Sequence, residues 1–490
     1  MNNIIISENG IDPRGRVRRM AALLAALLAF SAFVTSCGGN GDNVTEDGTA
    51  TTTAEETTTD PDTLEVKNLG GITIRAAGQA NDARQTFAKD DENGELVNDA
   101  LIKRDKYVRD TYNVNLEFFL DQELEKSITQ QVLANDCEFD FVIGTMRTMM
   151  QNMTLSGLLS DLNTLPYLSL EDVWWCKGAA DNLHIRDSLY FTAGPITPQF
   201  YFSPYAMAYN KRLAEAYQMP EIEKLVENGE WTIDKFASLL KNTAKDLDGD
   251  NKIGKDDQLG LAFDNMVGVG FPVAAGIKTS EYDSDGLPVV NMNSERTLDI
   301  ISKLRVIFGD KENCFNGESV ETGFDNKIFV QGRAIFNTHT MSNMIATFRE
   351  MEDDYGIIPC PKFDEAQESY YSYSNPWCMI GVAVPVTCAD KDTTAYVMEA
   401  MARKSYELVR PAQYDMTLKQ KVLRDSDAEL MLDLIYDNVV YDLNGVFDFG
   451  GSASVLEKAI KQGADFTSAY AKIEEKTKTE IAKFVETMNK

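Results

Sequence analysis

From Gly70 onward the chain alternates short apolar runs with longer stretches whose apolar residues recur at helical spacing. Ile72 to Ala77 reads as a strand that ends at Gly78. Asn98 to Thr111, with Ala100, Leu101, Tyr107 and Val108 set among charged residues, reads as a helix. Asn115 to Phe119 predicts a second strand, Leu124 to Asn135 a second helix, and Phe139 to Gly144 a third strand stopped by glycine. Strand, helix, strand, helix, strand is the rhythm of a mainly parallel α/β sheet. Ligands on such sheets bind at the carboxyl ends of strands. Gln79 and Thr145, which close the first and third runs, are therefore candidates on topology alone, as is the stretch through Arg147. Farther along, Ala206 to Lys211 reads as a strand running into a helix over Arg212 to Tyr217. Thr232 is placed to cap a helix over Lys235 to Lys245. Leu298 to Phe308 and Ser452 to Gln462 are amphipathic helices, and Tyr470 to Met488 closes the chain as a long one. No internal repeat is present.

The first 36 residues do not belong to this rhythm. Arg14, Arg16, Arg18 and Arg19 precede an apolar run from Ala21 to Val34, which ends in Val34-Thr35-Ser36-Cys37 and is followed by two glycines. A charged segment and a short apolar segment form an export signal, and the run is shorter than the roughly 20 residues a bilayer span requires. The last four residues look like a bacterial lipobox, in which the Cys37 thiol takes a lipid and becomes the mature N-terminus. Residues 37–69 then read as a lipidated cysteine and a flexible tether, rich in Thr, Asp, Glu and Gly.

Composition narrows the function classes. The 490 residues are 43% hydrophobic and 25% charged, enough apolar material for two or three domains. Asp and Glu total 77 against 47 Lys and Arg, a net charge of −30 that becomes −32 without the leader. A chain this acidic repels phosphate backbones, so nucleic acid is excluded as a partner. Only two histidines occur, His184 and His339, and there is no HExxH. The six cysteines after Cys37 show no CxxC or metal-finger spacing; their even number permits disulfides, but nothing selects a pairing. GxSxG and the phosphate-binding GK[ST] loop are absent, and Gly268-Val269-Gly270 lacks the third glycine of a dinucleotide site.

Several motifs fall together in an order that resembles one family. Tyr209-Asn210-Lys211 is followed by Gly229-Glu230-Trp231-Thr232. Phe329 and Gln331-Gly332-Arg333-Ala334-Ile335-Phe336 come next, then Tyr355-Gly356-Ile357-Ile358-Pro359 with Pro361, and then Ala383-Val384-Pro385 with Thr387. With the lipobox before them, these resemble the extracellular solute-binding lipoproteins of bacterial ABC transporters, family 1 type. Ser405 to Asp442, including Pro411-Ala412 and Arg424-Asp425, is similar to a subgroup found in Gram-positive anaerobes. The resemblance implies an α/β, two-lobed, periplasmic-binding-protein-like (type II) fold with hinge strands and a helical C-terminal part. It places residues 70–195 and 333–388 in lobe one, and 196–332 and 389–490 in lobe two. It also implies a monomeric, non-enzymatic receptor, lipid-anchored on the outer face of the cytoplasmic membrane, that captures a sugar or oligosaccharide and delivers it to permease subunits. The alternative is a surface glycoside hydrolase or a polysaccharide-binding adhesin, since paired carboxylates are plentiful in so acidic a chain.

Two kinds of site residue follow. A sugar offers an apolar C–H face for an aromatic ring and hydroxyls for polar partners. Trp377 in a Pro-containing turn, with Asn375 beside it, Tyr205, Trp231 and His339 are the candidate cleft residues to join Gln79 and Thr145; packing in the core is the competing role of each. Separately, Asp246, Asp248 and Asp250 fit positions 1, 3 and 5 of a calcium loop, with the Lys252 carbonyl at 7 and Asp257 at 12. Asn251 stands where the loop usually has Gly, and Asp257 is shorter than the usual Glu. The expected role of Ca2+ is structural.

Overall fold

The computed structural model describes residues 64–80, 86–89, 91–418 and 426–488. In chain order the strands are β1 (Ile72–Gln79), β2 (Val114–Asp121), β3 (Phe141–Thr145), β4 (Tyr205–Asn210), β5 (Leu259–Phe263), the small hairpin β6 (Glu281–Tyr282) and β7 (Pro288–Val289), β8 (Cys314–Asn316), β9 (Ala334–Thr340), β10 (Tyr355–Ile358), β11 (Ser372–Tyr373), β12 (Ile380–Ala383) and β13 (Val439–Val440). They form two main sheets, each with its own apolar core. The first has the order β12-β3-β1-β2, with β1, β2 and β3 parallel and β12 antiparallel. The helix Leu96–Tyr112 connects β1 to β2, and Leu124–Ala134 connects β2 to β3, as the alternation in the sequence predicts. Phe141, Val142 and Ile143 are buried, the uniformly apolar reading of a strand covered on both faces.

The second sheet has the order β10-β4-β9-β5-β8. Here the expected lobe boundaries are corrected. Residues 334–340 and 355–358 were expected in lobe one, yet β9 pairs with β4 and β5, and β10 with β4. Lobe one regains the chain only near β12. The C-terminal part is also divided. The helix Lys391–Leu418 packs on Leu96–Tyr112, and Tyr396, Met398 and Met401 lie in the first core, as do Phe447, Phe449 and Phe484. Helix Ser452–Gln462 and the start of Phe466–Met488 lie in the second. Apolar helical faces carry no label for the sheet they will cover, so the chain's return to lobe one was not visible from spacing.

The segments that cross between the sheets meet in one short ladder. β11 runs parallel to β13, with Ser372 N donating to Asn438 O (2.9 Å). Ser374 bridges Pro204, and Asn375 N donates to Ser203 O (3.0 Å). Ser374 and Ser203 also share a 2.8 Å hydroxyl contact.

Local capping follows the sequence with one difference. Thr232 Oγ1 accepts from Lys235 N (3.2 Å), but the helix spans Ile233–Leu239 and stops short of Lys245. Asn242 turns left-handed (φ 59°), and Asn313 Oδ1 accepts the Thr243 amide at 3.2 Å, which draws the chain off the helix.

The adjacent pair Trp174-Trp175 is explained by a buried acid. Glu399, on the helix Lys391–Leu418, accepts both indole N–H groups (2.6 and 2.7 Å), the Ser169 amide (3.2 Å) and Arg403 Nε (2.9 Å). Removing it leaves two indole donors and the Ser169 amide without this acceptor. Glu399→Ala should lower the unfolding free energy by about 3 kcal/mol or more, measured by urea denaturation; a loss below about 1 kcal/mol, the scale of an ordinary surface pair, would refute this role.

Candidate binding cleft

The carboxyl ends of β1 and β3 and the start of β12 make one rim on the first sheet. Gln79 Oε1 accepts from Thr145 N (3.2 Å) and Thr145 Oγ1 (3.0 Å), and Thr145 Oγ1 lies 2.6 Å from Thr148 Oγ1. Beside this rim is a cavity of about 690 Å³ whose lining combines polar groups suited to hydroxyl-bearing solutes, among them Gln79, Gln122, Lys126 and Thr148, with the apolar side chains of Leu124 and Met149. Trp377 stands on the same rim and is 56% exposed. The Arg147 guanidinium lies 4.7 Å from the center of its ring. Arg147 is itself fixed, by Asp448 Oδ2 (2.8 Å) and Gly445 O (3.2 Å).

Gln79 and Thr145 are thus brought into contact by the first sheet, and Trp377 stands on the same strand-end rim against Arg147. Asn375 is not free to meet a ligand in the way expected: it is buried, and its Oδ1 accepts the Trp377 amide (3.1 Å). Its work is to hold the turn that presents the indole.

On the second sheet the ends of β5 and β9 and the start of β4 carry Asp264, His339 and Tyr205. Tyr205 is fully buried, with its hydroxyl donating to Asp264 and lying 3.0 Å from Thr338 Oγ1. A Cβ on Gly270 would fall 2.7 Å from the Tyr205 ring, so the glycine noted in Gly268-Val269-Gly270 serves close packing. The expectation that Tyr205 meets the solute is therefore corrected. Trp231 is likewise core: it is fully buried, with Nε1 donating to Pro359 O (3.0 Å) and its ring 6.0 Å from Phe336. Both side chains are sealed by packing, and the polar tip of each is already taken by a protein partner.

His339 is buried at the end of β9, with Nδ1 accepting the Thr340 amide (2.8 Å). Burial holds its pKa below the ordinary value, so the ring is neutral and carries its hydrogen on Nε2, which has no protein partner. Nearby carboxyls are pushed the other way by burial: Asp264 up to about 8 and Asp325 up to about 6.

Sequence reasoning missed Asp264. Asp264 was legible by the rule that selected Gln79, since it directly follows β5. Arg147 lay within the stretch that topology marked, but its acceptor Asp448 is 301 positions away and carried no signal.

Carboxylate oxygens of Asp246, Asp248 and Asp250 lie within 4.8 Å of one another. Asn251 adopts the left-handed conformation (φ 62°) that the sixth position demands. Asp257 is not part of this group: its two oxygens accept the Leu247 and Gly254 amides, each at 2.8 Å, and close the loop from inside. The Lys252 side chain is exposed and its amide donates to Asp250 Oδ1 (2.8 Å).

No family model and no curated protein matches the chain. Solved structures do. A sugar transporter protein of Rhizobium etli in an open conformation aligns with TM-score 0.57 at 12% identity, over 83% of this chain and 99% of that one. An ABC substrate-binding protein of Listeria monocytogenes in complex with cycloalternan aligns with TM-score 0.50 at 13% identity, over 86% and 99%. A maltose/maltodextrin-binding domain of Bdellovibrio bacteriovorus bound to maltotriose gives 0.50 at 13%, over 84% and 100%. The fold is the two-lobed binding-protein fold. Cys37 and the apolar run before it lie outside the described residues; among those described, no helix is long and apolar enough to cross a membrane.

The raised Asp264 pKa has a consequence for stability. Between about pH 4, where a carboxyl ionises in the unfolded chain, and about 8, the folded protein retains a proton that the unfolded chain releases. Stability therefore falls as pH rises through that window and the loss is complete above it. Asp264→Asn removes the titration while keeping the shape. The wild-type unfolding free energy minus that of the variant should decline steadily from about pH 5 to about pH 8 in urea titrations; a constant difference would show that Asp264 is ionised throughout.

Proposed function

We propose that the protein is the solute-binding component of an ABC importer and that its solute is a sugar or oligosaccharide. The observation that carries the reading is Trp377. Its large apolar face is exposed on the strand-end rim of the first sheet, backed by a cation that is itself tied down, and the same rim borders, through Gln79 and Thr148, a cavity rich in amides, hydroxyls and charged groups. A sugar ring needs that combination of platform and hydrogen-bond partners. The structural neighbours described as binding cycloalternan and maltotriose support the same class. In this reading the chain is exported, lipid-anchored through Cys37 on the outer face of the membrane, acts as a monomer without catalysis, and passes its solute to permease subunits.

A screen of linear and cyclic glucans by thermal shift and calorimetry identifies the ligand. Trp377→Ala should weaken its binding at least thirtyfold, about 2 kcal/mol for a central aromatic anchor. Because the side chain is exposed, its removal opens no cavity, and the melting temperature of the unliganded protein should stay nearly unchanged. A variant that binds normally, or a screen in which peptides alone stabilise the protein, overturns the carbohydrate assignment.

We also propose that the 246–257 loop holds a structural Ca2+ on Asp246, Asp248 and Asp250, with the Lys252 carbonyl at the seventh position. The convergence of three carboxylates supports it. Adding Ca2+ to chelator-treated protein should raise the melting temperature, and Asp248→Asn should abolish the rise; identical melting with Ca2+ and with chelator refutes the site.

A further inference from the structure

A second set of ligating side chains lies at the opposite end of the first sheet from Trp377. Cys137 follows the helix Leu124–Ala134, Asp140 immediately precedes β3, and Cys388 lies in the turn between β12 and the helix Lys391–Leu418. Because β12 runs antiparallel to β3, the amino end of one strand meets the carboxyl end of the other here, and the three residues converge. Both sulfurs and a carboxylate oxygen lie within 4.8 Å of one another. The same oxygen, Asp140 Oδ1, faces Cys137 Sγ at 3.7 Å and Cys388 Sγ at 4.0 Å.

The ligand atoms are held in place by neighbouring groups. Asp140 Oδ2 accepts the Arg75 amide (2.8 Å), which fixes the plane of the carboxylate. The Thr394 hydroxyl lies 3.3 Å from Cys388 Sγ, and the Ala389 amide is bonded to Cys137. Among the described residues no Lys, Arg or His side chain bonds Asp140 or either sulfur. Asp140 and Cys388 are buried, whereas Cys137 is only half-buried and leaves the group open to solvent.

We propose that Cys137, Asp140 and Cys388 bind one thiophilic divalent cation, with Zn2+ as the probe, and that the ion fastens the start of the helix Lys391–Leu418 to the first sheet. On binding, both S–H bonds break and their protons pass to solvent. Two metal–sulfur bonds and one metal–oxygen bond form, and water takes the remaining position on the exposed side. A tetrahedral zinc with sulfur at about 2.3 Å and oxygen at about 2.0 Å sets its ligands about 3.5–3.8 Å apart. The observed sulfur–oxygen separations, 3.7 Å for Cys137 and 4.0 Å for Cys388, reach this by shifts of a few tenths of an ångström, the larger at Cys388. Linear spacing gave no hint, because Cys388 stands 248 positions from Asp140.

A disulfide between the same two cysteines is the competing chemistry. It would remove both S–H donors that Asp140 Oδ1 faces and leave a buried carboxylate oxygen against two sulfurs without a hydrogen. The observed placement of Asp140 favours the cation.

The test uses the full chain, reduced and stripped of metal, titrated with Zn2+ while free thiols are counted by alkylation and mapped by peptide mass. One Zn2+ per chain should protect Cys137 and Cys388 together, and chelator should restore their reactivity. Cys137→Ser, at a half-buried position, and Asp140→Asn, which keeps the Arg75 hydrogen bond, should each weaken that zinc at least tenfold. Asp248→Asn, in the separate acidic loop, should leave it intact. Unprotected thiols under saturating Zn2+ overturn the proposal. So does unreduced protein lighter by two hydrogens with the Cys137 and Cys388 peptides joined. Glucan binding at the Trp377 rim is read separately, so failure here leaves the solute reading standing.

Discussion

Everything that positions the cleft is referred to one short backbone ladder, where Ser203-Pro204, Ser372 to Asn375 and Asn438 to Val440 lie side by side. The two sheets have separate cores, so these crossings, the long helices and the hairpin of β6 and β7, whose Tyr282 hydroxyl donates to Asn182 O (2.7 Å) and whose Gly286 O accepts the Arg186 amide (2.9 Å), fix one strand-end rim against the other. The ladder is made of main-chain hydrogen bonds, which tolerate bending better than interlocked side chains but resist separation. Its buried serine pair, Ser203 and Ser374, satisfies both hydroxyls where a polar group without a partner would weaken the junction. From this junction β4 starts into the second sheet at Tyr205, and the Trp377 turn leads into the first.

The chain's acidity makes its buried carboxylates informative. With 77 acidic residues, most face water, and those that do not are held by specific donors. Glu399 is surrounded by indole and guanidinium N–H groups. Asp442 accepts from Thr279 and Ser280 and joins the hairpin region to the C-terminal segment. Asp264 has hydroxyl and amide donors and only the neutral His339 ring nearby, at 3.8 Å, so burial raises its pKa, whereas the loop amides and Arg333 lower that of Asp257. Charge of one sign is thus distributed by donor supply.

The sequence was most readable where a local rule applied. The β-α-β-α-β start, the Thr232 cap and the left-handed Asn251 each depend on residues within a turn or two. The choice of sheet for β9 and β10 was not readable, because a fully buried strand shows the same apolar run whichever neighbours it joins. Among the aromatic candidates, Trp377, Trp231 and Tyr205 look alike in composition of their surroundings. What separates them is tertiary: Trp231 has a carbonyl acceptor 128 positions away, and Tyr205 a carboxylate 59 positions away, whereas the Trp377 turn is closed by its own neighbour Asn375. Polar tips with distant partners mark core aromatics, and such partners are invisible before folding.

The last helix, Phe466–Met488, has its two ends seated in different cores: Phe466 and Tyr470 in the second, Phe484 against Phe447 and Phe449 in the first. At about 1.5 Å per residue, some 20 Å of rod separates the two anchors. A rod clamped at both ends forbids the sheets from pulling apart along its axis without extracting an aromatic ring. Turning about that axis slides the rings of one anchor around the rod, a smaller disturbance than extracting them. The joint between the lobes therefore has the mechanics of a pinned door, with one soft rotation and stiff translations, and the pin is the final helix of the chain.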